Sequence, residues 1–190
     1  MKATQPIRKR KNIRKFANYF LTRGQIRNYI FFIVSCYTAL RNCDILRLVW
    51  DDVYDFTLNR VRSEIYVIEK KTKKSKIIKL NHVVISALAL FAPSNAEKGK
   101  FLIENARTKK AISRVQAYRI IVVASEHLQL EYRISLHSLR KTFGYHAHKS
   151  GVLLGHIMEI YNHSSMAVTK RYLGITQDDI NRVYLGIKLM

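Results

Sequence analysis

Acidic residues are what this 190-residue sequence most lacks: 13 Asp+Glu stand against 34 Lys+Arg, a formal net charge of +21. Such a field destabilises a compact chain by self-repulsion unless a polyanion neutralises it, and nucleic acid is the first candidate. An anionic membrane surface is the rival. It calls for a basic amphipathic helix with a broad apolar face or a lipid anchor, and the sequence offers neither. Cysteine is nearly absent too. Cys36 and Cys43 are the whole supply, which excludes a disulfide framework and a thiolate zinc site; both read as buried free thiols in a reducing compartment. No long apolar run exists: the best, from Tyr29 to Tyr37, falls far short of the ~20 residues of a membrane span. It also lies too far inside the chain for a secretory signal. These absences together predict a cytoplasmic protein.

Glycine (7) and proline (2) are scarce, while 48% of the residues are hydrophobic, so the chain can bury a real core and carries no low-complexity linker. Cations crowd the start: Lys2, Arg8, Lys9, Arg10, Lys11, Arg14 and Lys15. They read either as a solvated tail or as a basic arm along a phosphate backbone, and residues 1–20 are set apart as that arm. Helical spacing follows at Ile26, Tyr29, Ile30, Ile33, Val34 and Tyr37, and Asn42 is placed to cap a second helix through Leu48. From Val61 to Leu80 the pattern turns β-branched. Two short strands are expected there, joined by the charged turn Glu69 to Ser75. Asn81 and Ser113 are placed to cap two further helices, and Pro93-Ser94-Asn95 ends the first of them. From Leu136 onward short helices are separated by Gly151, by Asn162 to Ser165 and by Gly174, and Thr176 to Asp179 resembles a capping box. The expected fold class is α+β, mainly α, with one small antiparallel sheet.

Three stretches stand out: Ala39-Leu40-Arg41-Asn42-Cys43-Asp44, His137-Ser138-Leu139-Arg140, and Asn162-His163-Ser164-Ser165 running on to Thr169-Lys170-Arg171-Tyr172-Leu173. Singly, each has a bland explanation. Arg41 could be one more surface arginine, a lone H-x-x-R arises by chance, and Tyr172 is one of 11 tyrosines. Their order is the specific signal. It is an arginine after a small-apolar pair, a lysine-rich hairpin, H-x-x-R, N-H-S-S, then a tyrosine nine positions past the second histidine.

In that order the stretches resemble the catalytic domain of the tyrosine recombinases, or phage integrase family, from about Gln25 to Asp179. The resemblance implies a helical domain of the DNA breaking-rejoining type over residues 21–190, and an enzyme that cuts and rejoins DNA through a 3′-phosphotyrosine. It implies that Arg41 and Arg140 grip the scissile phosphate, that His137 and His163 hydrogen-bond it, that a hairpin lysine is the acid, and that Tyr172 attacks. Lys71, followed by Thr72, fits the family's lysine best, with Lys70, Lys73, Lys74 and Lys76 as alternatives. Asp44 is expected to support Arg41 or a helix end without transferring a proton. The chemistry suits the residues: guanidiniums stay charged and offer paired donors to non-bridging oxygens. A free phenol is ionised in only about one molecule in a thousand at neutral pH, so nearby cations and a base must help it.

No cofactor or metal is expected, since Asp51, Asp52 and Asp55 read as a turn outside the matched stretches. His146 and His148 point to different helix faces and make no metal pair. His156 is expected to loosen its helix, and His82 and His127 to lie at the surface. The expected partner is double-stranded DNA, with self-association into a tetrameric synapse and possible DNA-bending accessory proteins. A bacterial or phage origin is expected. Fewer than about thirty residues precede the first catalytic helix, too few for the helical core-binding domain that family members usually carry. The rival functions are a type IB topoisomerase-like enzyme and a non-catalytic DNA-binding relic.

Overall fold

The computed structural model describes residues 4–130, 132–175 and 177–187. The chain divides into two compact units, Met1–Phe143 and Gly144–Met190. The fold is mainly helical, as the sequence predicts.

The first unit opens with α1 (Arg10–Leu21) and α2 (Ile26–Tyr37). The basic stretch is therefore helical from Arg10 onward. Asn12, Phe16 and Phe20 fall on one buried face, while Arg10, Lys11, Arg14 and Lys15 stay exposed. The cations hid this periodicity because Ile13 is the one apolar residue among them before Phe16. Phe16 stacks on Phe32 of α2 with ring centroids 5.0 Å apart, a geometry that adds about 0.5–1.5 kcal/mol to plain burial. Ahead of α1, Ile7 is fully buried. Its amide donates to Thr142 Oγ1 at 2.9 Å, and Lys141 Nζ donates to Thr4 O at 3.0 Å. This strap holds the helix that carries H-x-x-R.

Two short helices follow, α3 (Asn42–Ile45) and α4 (Trp50–Val53). Asn42 does not cap α3. Arg41 occupies that position with extended backbone (φ −73°, ψ 146°) and no side-chain cap. Then come two two-stranded antiparallel sheets rather than one: β1 (Tyr54–Asp55) with β2 (Arg60–Val61), and β3 (Glu64–Ile68) with β4 (Ser75–Lys79). The extra sheet comes from turn chemistry. Asp55 Oδ1 accepts from the amides of Thr57 and Leu58, and Asn59 takes a left-handed conformation (φ 49°). In the larger hairpin Tyr66 opposes Ile77 and Ile68 opposes Ser75. Ile65 and Val67 face the core, and Tyr66, Ile68 and Ile77 face outward.

Helix α5 (His82–Asn95) is capped by Asn81, whose side chain accepts from Val83 N, and keeps Pro93 in its last turn. Helix α6 (Arg114–His127) starts with a full Ser113–Gln116 capping box. Helix α7 (Leu136–Lys149) follows. Helices α1, α2, α5 and α6 surround a core built on Phe31, Phe32, Leu88 and Ile121.

The second unit begins inside α7 at Gly144 and adds α8 (Leu154–Tyr161), α9 (Met166–Leu173) and α10 (Gln177–Gly186). Thr176, expected to open a capping box, lies outside the described residues, as do Lys2, Leu189 and Met190. His156 sits exposed on α8, which is helical throughout. No described helix is long and apolar enough to cross a membrane.

Candidate active site

In the first unit, Arg41 and Lys76 flank a buried acid. Glu69, at the end of β3, has no exposed surface. Its Oε2 lies 2.7 Å from Arg41 Nη1 and accepts from Thr72 Oγ1 at 2.7 Å; its Oε1 lies 3.7 Å from Lys76 Nζ. A buried carboxylate is costly unless paired and hydrogen-bonded, and here it is both. Arg41 is brought to it by a sharp turn: Ala39 is fully buried with φ 55°, and α2 stops just before it.

The hairpin turn is fixed from both sides. Asp44, almost fully buried, accepts from Lys70 N at 2.8 Å, and Lys73 N donates to Glu69 O at 2.9 Å. Asp44 thus holds the lysine-bearing turn against the loop that carries Arg41. Lys71 is exposed within that turn, whereas Lys76 is half-buried on β4. Burial pushes the Lys76 ammonium pKa down, the Glu69 carboxylate opposes this, and Arg140 and Arg41 lower it further. Arg41, Lys76 and Arg140 therefore share one electrostatic neighbourhood. On α7, Arg140 is buried and His137, one turn earlier, is exposed. The three aspartates expected to form a turn are engaged with backbone amides: Asp51 with Gly99 N, Asp52 with Val49 N, Asp55 as described.

Cys43, expected to be buried like Cys36, is exposed. The first turn of α3 points it away from the side on which Asp44 and Ile45 are buried. His82 and His127 are exposed as expected. His127 Nε2 lies 3.0 Å from Arg23 Nη2.

In the second unit His163 and Tyr172 stand together with a third ring. Centroids are 5.0 Å apart for His163–Tyr172, 4.9 Å for Tyr161–Tyr172 and 5.1 Å for Tyr161–His163. Local chemistry builds this cluster. Asn162 ends α8 in the left-handed conformation (φ 52°, ψ 45°), which asparagine tolerates better than other non-glycine residues. Ser165 then caps α9 by accepting from Val168 N. Thr169, fully buried, donates from Oγ1 to Ser165 O and meets His163 Nδ1 at 3.0 Å. In the tautomer in which Nδ1–H donates to Thr169 Oγ1, Nε2 of a neutral His163 is the acceptor nitrogen.

Tyr161 is fully buried, and its hydroxyl accepts from Gly144 N at 2.7 Å. A Cβ there would crowd the Tyr161 hydroxyl and lie 2.7 Å from Leu173 Cδ2, so any larger residue would force the cluster to shift. Tyr172 is half-buried with its phenolic oxygen shielded from solvent. Sequence reasoning named Lys76 only as an alternative to Lys71, and it missed Glu69, Thr169 and Tyr161. Thr169 was visible as the threonine of the third stretch; the others gave no signal.

Residues 9–178 match the family described as the phage integrase family. The chain belongs to it. It is 35% identical over 184 residues to the probable integrase/recombinase YoeC of Bacillus subtilis (strain 168), covering 97% of each. Its fold is similar to that of the XerA recombinase (TM-score 0.76, 20% identity), covering 97% of this chain and 66% of that one. It is also similar to the XerH site-specific recombinase in a post-cleavage complex with a palindromic difH substrate (TM-score 0.73, 16% identity), covering 96% of this chain and 53% of that one. The chain thus spans nearly all of one relative and between half and two thirds of the solved recombinases.

Proposed function

We propose that the protein is a site-specific DNA recombinase, or integrase, that cleaves and rejoins strands through a 3′-phosphotyrosine. The single observation that carries the reading is the pairing of His163 with Tyr172 in a chain of this family, with Thr169 Oγ1 3.0 Å from Nδ1 of the histidine. Tyr172 attacks the scissile phosphorus, and its phenolic proton passes to a base, for which His163 Nε2 is chemically suited. Arg41 and Arg140 stabilise the non-bridging oxygens as charge builds, and His137 adds a hydrogen bond. A hairpin lysine gives a proton to the departing 5′-oxygen. Lys71 takes this role on the family pattern; Lys76 is the alternative, favoured by its half-buried seat beside Glu69.

The product is a phosphotyrosyl bond and a free 5′-hydroxyl. Rejoining reverses the same steps, so neither ATP nor a metal is needed. Asp44 acts by holding the hairpin. The partner is double-stranded DNA, in keeping with the net charge and with the DNA-bound state of the XerH relative in fold. Recombination proper requires self-association on DNA, with a tetramer exchanging strands between two sites in the cytoplasm.

Nicked suicide DNA tests the reading. The wild type is expected to form a covalent adduct that Tyr172→Phe abolishes, and to exchange strands between two sites. An adduct without exchange would indicate a topoisomerase-like enzyme; the absence of any adduct would indicate a DNA-binding relic.

A further inference from the structure

We infer that Glu69 is a positioning residue that couples the phosphate-gripping Arg41 to the hairpin turn carrying the general acid, so that both are set by one buried carboxylate. The inference rests on the recombinase reading and deepens it.

Three observations carry it. The first is burial: Glu69 has no exposed surface, so its charge is retained only because cations and a donor surround it. The second is that one oxygen has two partners on different elements. Oε2 meets Arg41 Nη1 at 2.7 Å and accepts from Thr72 Oγ1 at 2.7 Å, so moving either partner pulls on the other. The third is that the turn is tied to the same residue through its backbone. Lys73 N donates to Glu69 O, and Glu69 N donates to Lys74 O at 3.0 Å. Lys71 lies between these anchors and next to Thr72. Its own side chain is exposed, so the turn's backbone, not side-chain packing, fixes where its ammonium can reach.

The arrangement also has an electrostatic logic. Arg41, Lys76 and Arg140 repel one another, and Glu69 is the anion among them. Holding Arg41 by one Nη leaves its remaining donors for a phosphate. The Arg41–Glu69 contact is thus an orienting ion pair, and the Thr72 hydroxyl carries its position to the acid.

Two variants and two substrates test this. Thr72→Val cuts the Glu69 tie to the turn, along with a long contact from Lys74 N at 3.5 Å, without charging or emptying the site. Glu69→Gln keeps the size but removes the anion, releasing Arg41 as well. Adduct formation is timed on ordinary suicide DNA and on DNA whose bridging 5′-oxygen at the cleavage site is sulfur. A thiolate leaves without protonation, so the sulfur substrate does not need a placed acid. On ordinary DNA, Thr72→Val is expected to slow cleavage about tenfold and Glu69→Gln about a hundredfold. The sulfur substrate should restore Thr72→Val to nearly the wild-type rate but Glu69→Gln only in part, because Arg41 stays misplaced. A merely structural role would slow both substrates alike, so equal losses on the two overturn the inference. Wild-type rates in both variants also overturn it.

A second measurement needs no activity. Hydrogen exchange of the amides at residues 70–74, without DNA, should accelerate in both variants while the α2 and α5 amides stay protected. Unchanged exchange overturns the coupling, whether or not the wild type forms an adduct. An inactive wild type with accelerated exchange in the variants would instead overturn the recombinase reading and leave the coupling standing. If Glu69→Gln does not fold, Thr72→Val decides.

Discussion

The two units organise their chemistry in opposite ways. In the first, cations far apart in sequence are gathered by a buried carboxylate: Arg41 meets Glu69 across the hairpin, and Asp44 holds Lys70 across 26 positions. In the second, a nucleophile and its histidine are placed by contacts within one helix–turn–helix, with His163 and Thr169 only 6 positions apart. Charge assembled at long range in a dry setting is sensitive to every member, because losing one partner leaves another buried and uncompensated. A short-range aromatic cluster is limited mainly by steric fit. The first unit should therefore fail electrostatically and the second by packing.

The largest effect expected on the electrostatic side is at Arg140. Replacing it with alanine removes a charged donor from a phosphate in its transition state, a loss on the order of 10²–10³-fold in cleavage. Non-specific DNA retention should hardly change, because that binding is spread over a chain of net charge +21. Adduct formation and filter retention, measured side by side, separate the two. If both fell equally, Arg140 would be a binding cation like its many neighbours.

On the packing side the sharpest probe is Gly144. An alanine methyl there would crowd the Tyr161 hydroxyl and meet Leu173 Cδ2 at 2.7 Å, and overpacking of this kind costs about 1–3 kcal/mol. Urea titration should show that loss for Gly144→Ala, with part of it regained when Tyr161→Phe removes the hydroxyl. Gly155 is the control. Nothing lies within 4 Å of its missing Cβ, and it sits in α8, so Gly155→Ala should stabilise by about 0.5–1 kcal/mol. A Gly144→Ala protein as stable as the wild type would mean that the cluster relaxes freely.

The same contrast explains what the sequence disclosed. The helical fold class, the Asn81 and Ser113 caps and the β3–β4 hairpin were legible because each rests on local spacing, and the family was legible from the order of short motifs along the chain. The helix beneath the basic start was not, since Ile13 is the one apolar residue among its cations before Phe16. The β1–β2 sheet was hidden in an Asp55–Asn59 turn that read as acids in a loop. Glu69 looked like one more charge in a run of lysines; only the fold, which buries it against Arg41, reveals its place. The partnership of Gly144 with Tyr161 was equally invisible, because a glycine inside a helix gives no clue to which side chain needs its space.

The smallest effect, and the finest test of the comparison, is at Thr169. Valine matches its shape and suits a fully buried site, so packing in the second unit should survive Thr169→Val with little change in unfolding midpoint. What disappears is the oxygen 3.0 Å from His163 Nδ1, which accepts from it in the tautomer that the proposed mechanism uses. The ring then loses its reason to keep the proton on Nδ1, and a share of neutral molecules carries it on Nε2 instead, the nitrogen needed to take a proton from Tyr172. A lost hydrogen bond of about 1 kcal/mol corresponds to a five- to tenfold slower cleavage step, and Thr169→Ser, which restores the oxygen, should recover it. If Thr169→Val cleaves at the wild-type rate, His163 is held by the aromatic cluster alone. The second unit would then work by packing without any electrostatic component.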